Sequence, residues 1–184
     1  MASSAFLVDG HLEQYFIQQV CPDHPVRRIG CNGHSVSLEA IAKHIASHCR
    51  LFDNRYYPII IIIDREDRDE TACEIKNSLI TLLQKEGVKD SLIVAVADRM
   101  IENWILADQS VIKEHPDRKQ LAHIHPEGLH GKNEIKKCFP QYHETTLGVE
   151  LLLKCKPSRI RKKSKSFDSL YNQLPKKGCK WLQT

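Results

Sequence analysis

Apolar residues recur along this chain with two periods, and the changes from one period to the other lay out its elements. Ala5-Phe-Leu-Val8 is a short apolar run stopped by Asp9-Gly10, and it reads as a strand entering a turn. Leu12, Tyr15, Phe16 and Gln19-Val20 then recur at helical spacing until Pro22 breaks the pattern. Val26 to Ile29 reads as a second short strand, ended by Gly30 and the Asn32-Gly33 turn. Ser37 is placed to cap a helix whose inward positions are Leu38, Ile41, Ala42 and Ile45.

The clearest element follows Pro58. Residues 59–63 are five consecutive isoleucines. A β-branched run without alternation describes a central strand covered on both faces. It ends in a burst of charge from Asp64 to Glu70, after which Ile75, Leu79, Leu82 and Leu83 mark the inner face of a helix that stops near Gly87. Leu92 to Ala97 is a further strand, and Ile101 to Leu106 opens another helix. Strands alternating with helices in this order imply right-handed crossovers and a largely parallel, doubly wound α/β sheet. The pattern divides the chain into an α/β core over 1–110 and a helical and loop extension over 111–184 packed on it.

Charge adds a second division. From Lys154 to Thr184 there are ten Lys or Arg and one acid, Asp168, a balance of +9. The overall charge is +4, so the rest of the chain carries −5. A basic end on a mildly acidic body suggests that the end meets a polyanion or another acidic surface. With 41% hydrophobic and 27% charged residues, the 184-residue chain can bury a core and does not read as disordered. Its longest apolar run is far too short for a membrane span, and its start shows no secretory signal. Seven scattered cysteines without a C-x-x-C pair favour reduced thiols in a cytoplasm.

In an open α/β sheet, ligands gather at the carboxyl ends of the strands. Two predicted strands end there in acids, which would place Asp9, Glu13, Asp64, Glu66 and Asp67 on one rim. Crowded carboxylates repel one another, a divalent cation relieves the repulsion, and hard oxygen ligands suit Mg²⁺ or Mn²⁺. Such a centre can activate water and stabilise charge developing on a phosphodiester. The bland alternative is a solvated loop at a helix N-terminus, where acids suit the dipole. Glu102 could overhang the same rim, whereas Asp108, six residues on, does not share its face and suits a bracing role. Trp104, Ile105 and Leu106 read as core. Lys132, beyond Gly128 and Gly131, could reach a phosphate; Lys136 and Lys137 read more simply as a solvated helix face.

These residues resemble a known family. Phe-Leu-Val-Asp-Gly-His-Leu-Glu at 6–13 and Ile-Ile-Ile-Ile-Asp-Arg-Glu-Asp at 60–67 look like the two halves of a Toprim domain, which has an acid-Gly turn after its first strand and Asp-x-Asp after a later one. More narrowly, the chain resembles short bacterial Toprim-like proteins related to the nuclease part of OLD-family enzymes. Glu102-Asn-Trp-Ile-Leu-Ala-Asp108 is similar to that group's Glu-x-Trp-x-Leu-Ala-Asp signature, and Gly131-Lys132, Tyr142 and Ser166-Phe167 to its C-terminal pattern. Two departures stand out: Asp9 where the family usually has Glu, and Glu66 in place of the second Asp. The resemblance implies a Mg²⁺- or Mn²⁺-dependent nuclease acting on DNA or RNA, with an ABC-type or OLD-like ATPase as partner and a role in defence against phage. It implies Asp9 and Glu13 as acid–base or metal residues and Asp64 and Glu66 as metal ligands, with Asp67 a further candidate. Glu102 and Lys132 join the catalytic set, and a homo-oligomer fits the same picture.

Arg159, Arg161, Lys162, Lys163 and Lys165 are the candidate nucleic-acid contacts. No G-x-x-x-x-G-K-[ST] sequence is present, so any ATP dependence would belong to another chain. Two other readings stay open: a degenerate, non-catalytic subunit of an ATPase assembly, and a phosphatase or small-molecule phosphotransferase. A separate constellation, Cys21/His24 and Cys31/His34, has a spacing that could fold round zinc, although the apolar residues between the pairs fit a strand.

Overall fold

Five consecutive isoleucines can be buried only where a strand has neighbours on both sides and helices over both faces. That is where they lie. The computed structural model describes residues 3–33, 35–119, 125–174 and 179–183. Its sheet comprises β1 (Ala5–Val8), β2 (Val26–Arg28), β3 (Ile59–Asp64) and β4 (Leu92–Ala97), all parallel, in the order β2-β1-β3-β4. The chain moves from β1 outward to β2, then returns past β1 to β3 and onward to β4. The winding therefore reverses between β1 and β3, and the register sets Val8 beside Ile62.

Successive residues of each strand face opposite layers. Leu7, Ile59, Ile61, Ile63, Val94 and Val96 pack against α2 (Leu38–Phe52) and α3 (Ala72–Lys85). Phe6, Val8, Ile60, Ile62, Ala95 and Ala97 face a second layer that contains α1 (His11–Val20) and α4 (Glu102–Ala107). Each isoleucine of β3 is buried, a contribution of roughly 1.5–3 kcal/mol apiece. Ser37 caps α2 by accepting from the Ala40 N–H, as its position implied, and Thr71 does the same for α3 through the Glu74 N–H. On α1 the spacing misassigned two residues: Tyr15 and Gln19 are exposed, and Ile17 takes an inward position.

The extension completes the second layer. It runs through α5 (Gln109–Glu114), α6 (Gly131–Cys138), a π-helical turn (Glu144–Gly148), α7 (Val149–Lys154), α8 (Pro157–Ile160) and α9 (Lys165–Tyr171). Phe167 of α9 stacks edge-on against Trp104 and Trp181, and Trp181 in turn meets Phe16 of α1. Trp104 is therefore core, as read from its surroundings in the sequence. Removing the extension would bare this face of the sheet, so the two segments share one core.

One expectation about the cysteines fails. Cys21, at the end of α1, is disulfide-bonded to Cys179, 158 residues away, whereas Cys31, Cys49, Cys73, Cys138 and Cys155 are free thiols. Nothing in the local spacing signals a pair so remote in sequence; the fold brings it together. No helix of the described residues is long and apolar enough to cross a membrane.

Candidate metal centre

Winding reversal leaves a crevice at the carboxyl ends of β1 and β3, and both strands deliver a carboxylate there. Oxygens of Asp9, Asp64 and Glu66 lie within 4.8 Å of one another, and all three side chains are half-buried. Their arrangement rests on backbone groups. The Asp64 N–H donates to Asp9 Oδ2 at 3.3 Å, and the Ile101 N–H donates to Asp64 Oδ1 at 2.9 Å. Glu66 occupies left-handed backbone (φ 58°) and donates its N–H to the carbonyl of Arg99, itself left-handed (φ 66°), at 2.7 Å. Such conformations are costly for residues with a Cβ. Here they bring Glu66 back to the crevice within two residues of Asp64.

A cavity of about 330 Å³ opens beside the three acids. Glu13, Glu102, Lys132, Asn32, His130 and Glu144 also line it. Glu13 reaches back along the first turn of α1, where Gly10 donates its N–H to Glu13 Oε2 at 3.0 Å. A Cβ at Gly10 would come within 2.9 Å of that oxygen, so a side chain there would push the Glu13 carboxylate out of its present position. Glu102, buried at the start of α4, accepts from the Tyr142 hydroxyl at 3.2 Å. Lys132, on the first turn of α6, is ion-paired with Glu144. α6 can approach α4 because residue 131 is glycine: a Cβ there would overlap Asn103 Oδ1 and sit 2.8 Å from the Asn103 backbone nitrogen.

Burial and like charge act together on these groups. Burial pushes Glu13 up to about 8, with Asp9 and Glu102 adding repulsion against its own and Gly10's backbone hydrogen bonds. Asp64 is raised well above the ordinary carboxylate range by burial and then by Glu13, Asp9, Glu102 and Glu66. Asp9 is also raised by burial, against the opposing pull of Asn32, the Asp64 N–H and Arg68. In Glu66 burial is joined by Asp9 and Asp67, while His130 and Lys132 oppose. Glu102 is raised by burial, with Lys132 and Tyr142 among the groups that oppose the shift. For Lys132 burial disfavours the charge, but Glu144, Glu102 and Glu66 outweigh it and raise the amine. Three close oxygens that resist ionisation without a counter-charge are a donor set that fits a hard divalent cation.

The charged run after β3 divides its work. Asp64 and Glu66 face the cavity, whereas Asp67 forms an ion pair with Arg99 and lies outside the carboxylate group. Arg65 pairs with Asp98 at 3.1 Å, and Arg68 donates to Asn32 Oδ1 and the Gly33 carbonyl. Asp108 lines no part of this site. It accepts from the Lys156 N–H at 2.9 Å and from Ser110, bracing the extension as its position had suggested.

Among the basic candidates, Arg161 is engaged internally. It pairs with Asp168 at 2.5 Å, donates to Asn172 and lies 4.2 Å over the Tyr171 ring. Arg159 faces Asp108 at 3.5 Å and donates to Ser110. Lys162, Lys163 and Lys165 are exposed. Lys136 and Lys137 sit on a solvated face of α6, Lys137 pairing with Glu134. The zinc constellation does not assemble: Cys21 is in the disulfide, His24 Nδ1 is 3.0 Å from the Ser4 carbonyl oxygen, and His34 lies outside the described residues.

Four residues of the site were not singled out for function from the sequence. Asn32 follows β2, so the carboxyl-end argument would have found it; it donates to Asp9 and, at 3.2 Å, to the Asp64 carbonyl. His11 lies within the 6–13 segment without a role assigned to it, and His130 and Glu144 carry no periodic or motif signal.

Fold and site together define a parallel α/β protein with an acidic crevice at its winding reversal. Residues 8–175 match the family described as a domain of unknown function (DUF4276), and the chain belongs to that family. No curated protein and no solved structure matches it.

Proposed function

We propose that this chain is a Mg²⁺- or Mn²⁺-dependent phosphodiesterase acting on DNA or RNA, a nuclease of Toprim type. The observation that carries the reading is the meeting of Asp9, Asp64 and Glu66 oxygens within 4.8 Å at the carboxyl ends of two parallel strands. Asp64 and Glu66, with Asp9, would hold the cation. When bound, the ion would polarise a phosphodiester oxygen and make water a better nucleophile near neutral pH. Glu13 borders the cavity with one oxygen fixed by Gly10, which suits it to take a proton from attacking water. Lys132 lines the same cavity beside Glu144, where its amine would orient a non-bridging phosphate oxygen. Glu102, held by Tyr142, would return a proton to the leaving oxygen.

The Toprim- and OLD-like sequence resemblance supports the same reading and extends it to an ABC-type or OLD-like ATPase partner, a role in phage defence, a cytoplasmic setting and a homo-oligomer. Five free thiols agree with that setting, and the Cys21–Cys179 bridge points away from it. A second reading, a non-catalytic subunit of an ATPase assembly, has one observation in its favour. Asp9 is engaged by Asn32 and Lys132 by Glu144, so two groups of the site already have partners.

Hydrolysis of labelled single-stranded DNA and RNA in Mn²⁺, with Asp64→Ala as control, separates the two readings. Cleavage by the wild type that disappears in the variant is the expected result. No cleavage of either polymer, with the ATPase partner present, would favour the non-catalytic subunit.

A further inference from the structure

A second cavity, of about 310 Å³, lies at the far end of α4 from the carboxylates. Lys113 of α5, Arg159 of α8, and Lys162 and Lys163 of the following turn line it, together with Asp108 and Ser110. The pocket's one acid is already satisfied. Asp108 is buried, accepts from the Lys156 N–H and the Ser110 hydroxyl, and faces Arg159. Arg159 thereby neutralises Asp108, and the three lysines remain uncompensated.

Three lysines of the chain are engaged elsewhere. Lys132, Lys137 and Lys154 each pair with a glutamate, whereas Lys113, Lys162 and Lys163, like most of the described lysines, form no ion pair; what sets these three apart is that they line one recess. They are exposed, come from segments some 50 residues apart, and are gathered round one recess. Like charges converging in this way raise the local concentration of a polyanion.

Position relates the recess to the carboxylates. Glu102, the first residue of α4, lines the acidic cavity, and Ala107, the last, lines the basic one. A six-residue helix rises about 9 Å, the axial length of roughly three stacked nucleotides in one strand.

We infer that Lys113, Lys162 and Lys163 form a phosphate-backbone site, which holds a flanking stretch of the polynucleotide whose phosphodiester enters the acidic cavity. The inference rests on the nuclease reading for the identity of the polymer, and on the recess and its unpaired lysines for the site. Arg161 is excluded from the site because its guanidinium is committed to Asp168, Asn172 and Tyr171.

The test is fluorescence anisotropy of fluorescein-labelled oligothymidylate, titrated in EDTA over a range of KCl concentrations. Lys113→Ala/Lys162→Ala/Lys163→Ala should reduce the log–log salt slope by about 2, since each single-strand phosphate contact contributes about 0.7. Its circular dichroism and melting temperature should match the wild type, and Arg161→Ala should keep the wild-type slope. An unchanged slope in the triple variant overturns the site even if hydrolysis is intact. Displacement of the oligonucleotide by poly-glutamate as readily as by unlabelled oligothymidylate also overturns it, and makes the recess a dock for an acidic polypeptide. A reduced slope in a protein that cleaves nothing in any metal keeps the site and removes the nuclease reading.

Discussion

The carboxyl edge of the sheet and the basic extension carry opposite charge, and they hold it in opposite ways. At the sheet edge Asp9, Glu13, Asp64, Glu66 and Glu102 crowd together, fixed by backbone N–H groups and by left-handed residues that their neighbours must accommodate. On the extension, charge is either cancelled within the fold, as at Arg161 and Arg159, or left on exposed lysines that bear on nothing else. The first arrangement opposes stability unless a cation balances it, because burial and repulsion both penalise the ionised acids. The second costs little, because exposed lysines remain hydrated. A fold that gathers five acids at its winding reversal holds them at the expense of stability, which is the cost a cation site would carry; its exposed lysines need no such concession.

The sharpest way to break this contrast is to remove one acid. Asp64→Asn should reduce Mn²⁺-dependent hydrolysis on the order of 100-fold or more, the scale on which metal-site residues act. Asp67→Asn should stay close to wild type, because Asp67 belongs to the Arg99 ion pair. Initial rates on one labelled oligonucleotide decide this.

Next in size is the packing that brings Lys132 to the acids. Gly131→Ala should destabilise the protein by about 1–3 kcal/mol, since a methyl group there meets the side chain and backbone of Asn103. Urea unfolding followed by tryptophan fluorescence measures it.

Acidity gives a third prediction, for the metal-free protein. Glu13 ionises near 4.5 when unfolded and only at about 8 when folded, so the fold prefers its protonated form. The stability this preference confers is full below pH 4.5 and is lost as pH rises through 8. Glu13→Gln should flatten that decline and stabilise the metal-free protein at pH 8 by about 1–3 kcal/mol, because each tenfold change in proton affinity is worth about 1.4 kcal/mol. Melting curves in EDTA at several pH values test it. Adding Mn²⁺ to the wild type should reverse the trend, because the ligands must be deprotonated to bind.

The smallest effect belongs to the extension. Arg161→Ala should cost about 1 kcal/mol through the lost Asp168 pair and Tyr171 stacking, without altering affinity for Mn²⁺. A melting curve and a metal titration on the same variant suffice.

Most of the sheet was readable because its signals are local. Five isoleucines without alternation have few other places to go, and Asp9 and Asp64 follow strands whose carboxyl ends must share a rim. Ser37 and Gly87 mark helix ends by their own chemistry. Long-range features were not readable. Arg161 looks like part of a basic run until the fold supplies Asp168 and Tyr171 beside it. Glu144 and His130 enter the cavity from segments with no repeat or motif, and the Cys21–Cys179 pair depends on how the extension returns to α1. Asp67 is next to a site residue in sequence, yet the left-handed turn at Glu66 separates the two roles.

The central claim is that Asp9, Asp64 and Glu66 share one divalent cation. Isothermal calorimetry of Mn²⁺ into the metal-free protein at neutral pH tests it most directly, with Asp64→Asn and Asp67→Asn titrated alongside. The account expects one site in the wild type, retained in Asp67→Asn and lost in Asp64→Asn. Absence of Mn²⁺ binding to the wild type, or equal binding to wild type and Asp64→Asn, would contradict it.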